Sequence, residues 1–103
     1  GAFETPKPPW RQRKEDYINH LKTASPATRR VSLADKLHNA RSILANLRTD
    51  GESTWRRFNG GREGTLWYYR TLLEVFQQVE RSPMVAELER VVAEIERIDF
   101  SSR

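Results

Sequence analysis

The chain has 103 residues and a mass of 12.1 kDa, a size that accommodates one domain and excludes two. It contains no cysteine, so disulfide bridges, thiolate nucleophiles and cysteine-ligated metals are excluded. No apolar run approaches the ~18 residues of a membrane-spanning helix. The amino terminus also lacks the pattern of a secretory signal, and we therefore expect a cytoplasmic protein without membrane contact.

The formal net charge of +4 is distributed unevenly along the chain. Residues 1–48 contain ten Lys and Arg against four Asp and Glu, whereas residues 49–103 contain eight against ten. A basic first half indicates an anionic partner, such as the phosphates of a small molecule or of a nucleic acid. The alternative is a basic surface that serves only solubility.

The first predicted elements are an extended arm and a helix. Residues 1–9 contain three prolines and no periodicity, which predicts a Pro-rich arm ahead of a helical domain at 10–103. Apolar residues at helical spacing predict a helix near 10–23. Its first turns carry Arg11, Arg13 and Lys14, where cations oppose the helix dipole. Either an anion or the neighbouring acidic residues must compensate for them.

The second helix has the clearest boundaries. Ser25 is a typical N-cap and Pro26 suits the first helical position, so a helix is predicted near 26–48. A turn at Asp50-Gly51 follows, and a short helix is expected near 52–58.

Two further helices are predicted near 62–80 and 83–98, the second beginning after Ser82-Pro83. The pairs Glu87/Arg90 and Glu94/Arg97 are expected on the outer side of the fourth helix. No strand is evident. The fold class is therefore predicted to be all-α, with four main helices and one short helix.

One face of the second helix has an unusual composition. A wheel at ~100° per residue gives an ordinary core stripe of Leu33, Leu37, Ala40, Leu44 and Leu47. The side centred on Asp35 contains no Lys, Arg or Glu, although 31% of the chain is charged. Such a face is typical of one that is covered, and a covered carboxylate must be paired or bound to a metal. We therefore expect Asp35 either to pair with a cation from another helix or to bind a metal ion. Asn39 and Ser42 lie further along the same face.

The stretch Ser32–Arg41, SLADKLHNAR, resembles the last motif of the HD-domain metal-dependent phosphohydrolases. It is similar in particular to the branch that hydrolyses guanosine polyphosphates in the stringent response. Flanking segments are similar to parts of that branch, so that the resemblance spans about residues 6–80. These segments are Pro9–Lys14, Trp55–Phe58 and Leu66–Arg70.

The resemblance implies an activity and a set of site residues. Asp35 matches a ligand of the divalent cation, often manganese, that the family uses. Asn39 matches a position that contacts the nucleotide, and Ser42 one near the ribose. Arg62 and Tyr68 correspond to an Arg and a Tyr that touch the substrate, although their spacing departs from the family pattern. The implied partner is a phosphorylated, nucleotide-like small molecule.

The chain lacks the His-Asp dipeptide that supplies the family's first metal ligands. Its histidines are His38, for which we expect a buried, hydrogen-bonded position, and His20, for which we expect a surface or packing role. The chain therefore resembles the C-terminal part of an HD domain. As such a fragment it is expected to bind no metal tightly and to be inactive alone. It should also expose apolar surface where a missing half or a second copy would pack.

Two other functions fit the composition. Basic residues interleaved with tryptophans could form a small nucleic-acid-binding module, although no groove-reading motif is present. The fourth helix could instead form a dimer through a seam of Val85, Leu88, Val92 and Ile95.

Overall fold

The computed structural model describes residues 8–101, within which every regular element is helical. The prediction of an all-α fold is confirmed. The predicted arm at 1–9 lies largely outside the described residues, and Pro8 and Pro9 precede the first helix without being part of it. The elements are α1 (Trp10–Thr23), α2 (Pro26–Asp50), the 3-10 helix η1 (Gly51–Arg57), α3 (Gly61–Val79) and α4 (Pro83–Ser101).

The start of α2 agrees with the prediction, whereas its end lies two residues later than predicted. The Ser25 hydroxyl accepts a bond from the Thr28 amide at 3.2 Å, as an N-cap should. The helix runs to Asp50 because Gly51, at a φ of 62°, is the residue that can leave the helical conformation at low cost. The Gly51 amide closes the last turn of α2 by donating to the Leu47 carbonyl.

The core lies between α2 and α4, which run parallel to each other. Arg41 lies 3.4 Å from Glu87, and Arg48 lies 3.6 Å from Glu94, so both helices advance in the same direction. The predicted pairs within α4 are present as well, with Arg90 3.1 Å from Glu87 and Arg97 2.9 Å from Glu94. The predicted seam of α4 is buried in this core, together with the leucine stripe of α2.

α3 runs antiparallel to α4, and α1 packs on α3. Two ion pairs fix the α3–α4 direction, with Arg62 against Asp99 and Arg70 against Glu96. The backbone extends over 45 × 38 × 17 Å, so the described part of the chain is a flat slab. No helix within it has both the length and the apolar character needed to cross a bilayer.

The face of α2 around Asp35 is open within the described chain. Val31 is 73% exposed and the Asp35 side chain 61% exposed. His38 is exposed, so the prediction that it is buried is wrong, whereas the surface position of His20 is confirmed. The face lacks long charged side chains although much of it is exposed.

Ser32 on this side of α2 is buried against Tyr17 of α1, whereas no described helix covers the part around Val31 and Asp35. The prediction that Asp35 is covered is therefore wrong, and within the described residues its carboxylate lies 3.7 Å from Lys36 of the same helix.

Candidate anion-binding site

A cavity of about 480 Å³ lies between α1, the middle of α2, the end of η1 and the first half of α3. It contains three of the four predicted substrate-binding residues, Asn39, Ser42 and Tyr68. Its cations are Arg13, Lys14, Lys36 and Arg57, and its aromatic walls are Trp10, Phe58, Tyr68 and Tyr69. Asn46, Asn59, Thr65 and Ile43 complete the lining.

Helical spacing brings these side chains together. On α2, Lys36, Asn39 and Ser42 follow each other at intervals of three residues, which places them on neighbouring turns of one side. The Ser42 hydroxyl donates to the His38 carbonyl at 3.2 Å, and its oxygen remains able to accept. On α1, Arg13 and Lys14 lie one turn beyond Trp10, and all three residues line the cavity.

Positive charge dominates the cavity, because no Asp or Glu is among the residues that line it. Lys36 and Arg57 are each paired outside the cavity, with Asp35 at 3.7 Å and Asp50 at 2.5 Å. Arg13 donates to the Pro8 carbonyl at 3.0 Å. Lys14 makes no ion pair with any described carboxylate. Burial, together with the charges of Lys36 and Arg13, lowers its pKa.

The Lys14 amine is held by aromatic faces in place of a carboxylate. Its Nζ lies 4.7 Å from the ring centroid of Tyr68, and Lys36 Nζ lies 5.6 Å from the same ring. Cation–π attraction of this kind stabilises an ammonium group by about 0.5–2 kcal/mol. It leaves the N–H donors of both lysines available to an anionic ligand.

The two tyrosines of α3 are protonated donors at neutral pH. Burial, and then the negative charge of Asp35, raises the pKa of Tyr69 to about 12, and the hydrogen bond with Asn39 offsets part of this effect. Burial also raises the pKa of Tyr68. Both phenols can therefore donate to a phosphate, a ribose or a base, and neither acts as a general base.

Asp35 and Arg62 lie outside the cation-lined cavity. Asp35 borders a second, more open cavity of about 570 Å³, whose other lining residues are Tyr17, Ala27, Thr28, Val31 and Ser32. Arg62 donates two hydrogen bonds to Asp99, at 2.6 and 2.9 Å. Its guanidinium is thus engaged with α4, and this contact raises its pKa.

Several residues that line the cavity were not predicted from the sequence. The crowding of Arg13 and Lys14 in the first turns of α1 was a usable signal, since it suggested an anion at that place. Lys36 could have been found from its position one turn before Asn39. Arg57 and Tyr69 reach the cavity only through the packing of η1 and α3, which no local pattern indicates.

No protein-family model matches this chain, and a search of curated proteins gives no match either.

Proposed function

We propose that the cation-lined cavity binds a phosphorylated, nucleotide-like small molecule, as in the guanosine polyphosphate hydrolases that the motif resembles. The observation that carries this proposal is a concave site with four cations and no lining carboxylate. Such a concentration of like charge is unfavourable in the free protein and is relieved by an anion. Burial is the main cause of the lowered pKa of Lys14, and the neighbouring charges of Lys36 and Arg13 lower it further.

The size and polarity of the cavity suit a nucleotide. Its volume falls in the range of about 300–1,000 Å³ that is common for small-molecule sites. Lys14, Lys36 and Arg13 supply charge-assisted hydrogen bonds to phosphate oxygens. Asn39 and the Tyr68 hydroxyl are suited to the sugar or the base.

Asp35 is the one residue that we propose as a ligand of a divalent cation. Within residues 8–101 no three His, Asp or Glu side chains lie close enough together to hold a metal ion. The residues present therefore do not form a metal centre by themselves, since a catalytic divalent ion needs several ligands. Asp35 can serve as one ligand of a metal such as manganese if the others come from another segment or another chain. Hydrolysis is proposed for such a complete centre and not for the described residues alone.

The other two functions are less well supported by the packing. Trp55 is 6% exposed and packs on Phe58, so it cannot stack on a nucleic-acid base. The apolar seam of α4 already packs inside the chain's own core. A dimer through that seam would have to replace this contact.

Calorimetric titration with guanosine diphosphate and with guanosine tests the proposal. We expect the diphosphate to bind and the nucleoside to bind at least ~10-fold more weakly, because the charge-assisted bonds are lost. Replacing Asn39 by alanine should weaken diphosphate binding by about 5–10-fold, the effect of losing about one neutral hydrogen bond.

Asn19→Ala is the matched control, since Asn19 is an exposed asparagine of α1 away from the cavity. Its affinity should equal that of the unaltered chain. Equal binding of the nucleoside and the diphosphate, or an unchanged affinity in Asn39→Ala, would contradict the proposal.

A further inference from the structure

Trp10 rests on two glycines at the start of α3. A Cβ atom placed on Gly60 would lie 2.5 Å from Trp10 Cζ2 and 2.9 Å from Cε2, and closer still to Cη2. A point so near to three ring atoms lies over the face of the six-membered ring. A Cβ on Gly64, one turn later, would lie 3.0 Å from Cη2 and Cζ3. The indole therefore occupies a space that exists only because both residues lack a side chain.

This glycine seat, formed by Gly60 and Gly64, anchors the first turn of α1. Between Trp10 and Tyr17 every residue of α1 is exposed except Lys14, which is half-buried. The other contact of the first turn with α3 is Arg11, whose guanidinium carbon lies 3.3 Å from the ring centroid of Trp67. The deeply buried residues of α1, Ile18 and Leu21, come two or more turns later.

We infer that Trp10, held in the glycine seat, is a positioning residue that places Arg13 and Lys14 over the cavity. This inference rests on the proposed function of the cavity. Trp10 lies three and four residues before these two cations, so that the three side chains project from one side of α1. Edge contacts of the indole with Trp67 and Tyr68, at centroid distances of 6.2 and 6.4 Å, fix its orientation. Displacing the indole would lift the cations away from Asn39 and Tyr68.

The variants Gly60→Ala and Trp10→Ala, and their combination, test the inference with guanosine diphosphate as the probe. The φ of −78° at Gly60 suits alanine, so the added methyl acts on Trp10 and not on the backbone. Each single variant should weaken diphosphate binding by about 5–20-fold. The double variant should bind no more weakly than Trp10→Ala, because the methyl then has no ring to displace. Gly64→Ala should give a smaller loss than Gly60→Ala.

A titration without ligand separates this inference from the proposed function. The pKa of Lys14 can be read from the ¹³C shift of its ε-carbon and assigned with Lys14→Arg. In the unaltered chain it is lowered by burial and then by the charges of Lys36 and Arg13. In Gly60→Ala it should rise toward the ordinary 10.5. An unchanged Lys14 pKa in Gly60→Ala would overturn the inference whether or not the diphosphate binds. The inference would also be overturned if Gly60→Ala weakened diphosphate binding by the same factor in the chain with Trp10 and in the Trp10→Ala variant.

Discussion

A variant in which Lys14 and Lys36 are both replaced by glutamine should bind guanosine diphosphate more than ~100-fold more weakly than the unaltered chain. Each charge-assisted hydrogen bond contributes about 1.5–3 kcal/mol, and two together exceed about 3 kcal/mol, which corresponds to that factor. The variant should unfold at nearly the same temperature, because relief of the repulsion between the two ammonium groups offsets the loss of their cation–π contacts with Tyr68. Calorimetric titration and thermal unfolding followed by circular dichroism measure the two effects.

The control for this variant is Lys22→Gln/Arg30→Gln, which removes the same charge from exposed positions of the same two helices. It should keep its affinity within a factor of about two to three, the screened effect of distant charge. An equal loss in the control would mean that net charge, and not the cavity, attracts the diphosphate.

The affinity for the diphosphate should also fall at alkaline pH. Lys14 must be charged to bind a phosphate, and its pKa in the free protein lies below the ordinary 10.5. Binding therefore weakens as the pH rises through that lowered pKa, and it does so earlier than for a lysine in water. Stability changes in the opposite direction, since the unfolded chain binds more protons than the folded chain in this interval and unfolding becomes less favourable with rising pH.

Replacing Asp99 by alanine should lower the free energy of unfolding by about 2–4 kcal/mol. Asp99 is 5% exposed and accepts both hydrogen bonds of Arg62, so the substitution removes the partner of a half-buried cation. The pair joins the first turn of α3 to the end of α4, next to Gly60 and Gly64. Chemical denaturation measures the change, and a loss of this size is a large share of the stability of a domain of about 100 residues.

Variants of Arg62 distinguish a structural role of this residue from contact with the ligand. Arg62→Met/Asp99→Leu should recover much of the lost stability, because an apolar pair replaces a buried ionic one. If Arg62 only joins helices, Arg62→Met should lower stability and leave diphosphate affinity within about threefold, the normal spread for a residue outside the site. A large loss of affinity with unchanged stability would show that Arg62 contacts the ligand, as the resemblance implies, and that its contact with Asp99 is secondary.

The helices could be predicted from the sequence because their signals are local. The leucine period of α2 and the cap at Ser25 act within one helix, and both are confirmed. The end of α4 was placed too early, at Ile98, because Asp99 belongs to the helix through its pairing with Arg62, which is far away in sequence. The exposure of His38 was missed for a similar reason, since burial depends on which helix crosses a face.

The candidate site was predictable in part. Asn39 and Ser42 share a side of one helix, so one motif predicts both of them. Tyr68 was predicted through a flanking resemblance, and it lines the same cavity as Asn39. The role of Arg57 depends on the turn after α2 and on the packing of η1. No property of the sequence near Arg57 carries that information.

Chemical-shift mapping with ¹⁵N-labelled protein shows directly whether guanosine diphosphate binds in the cation-lined cavity. We expect the amide signals that move to cluster around the cavity, at residues 10–14, at Asn39 and Ser42, and at 57–69. The signals of residues 84–93 should remain in place, because no residue of α4 lines the cavity. Shifts confined to α4 or to the open face around Val31, or an absence of shifts at millimolar diphosphate, would contradict the assignment of this cavity as a nucleotide site.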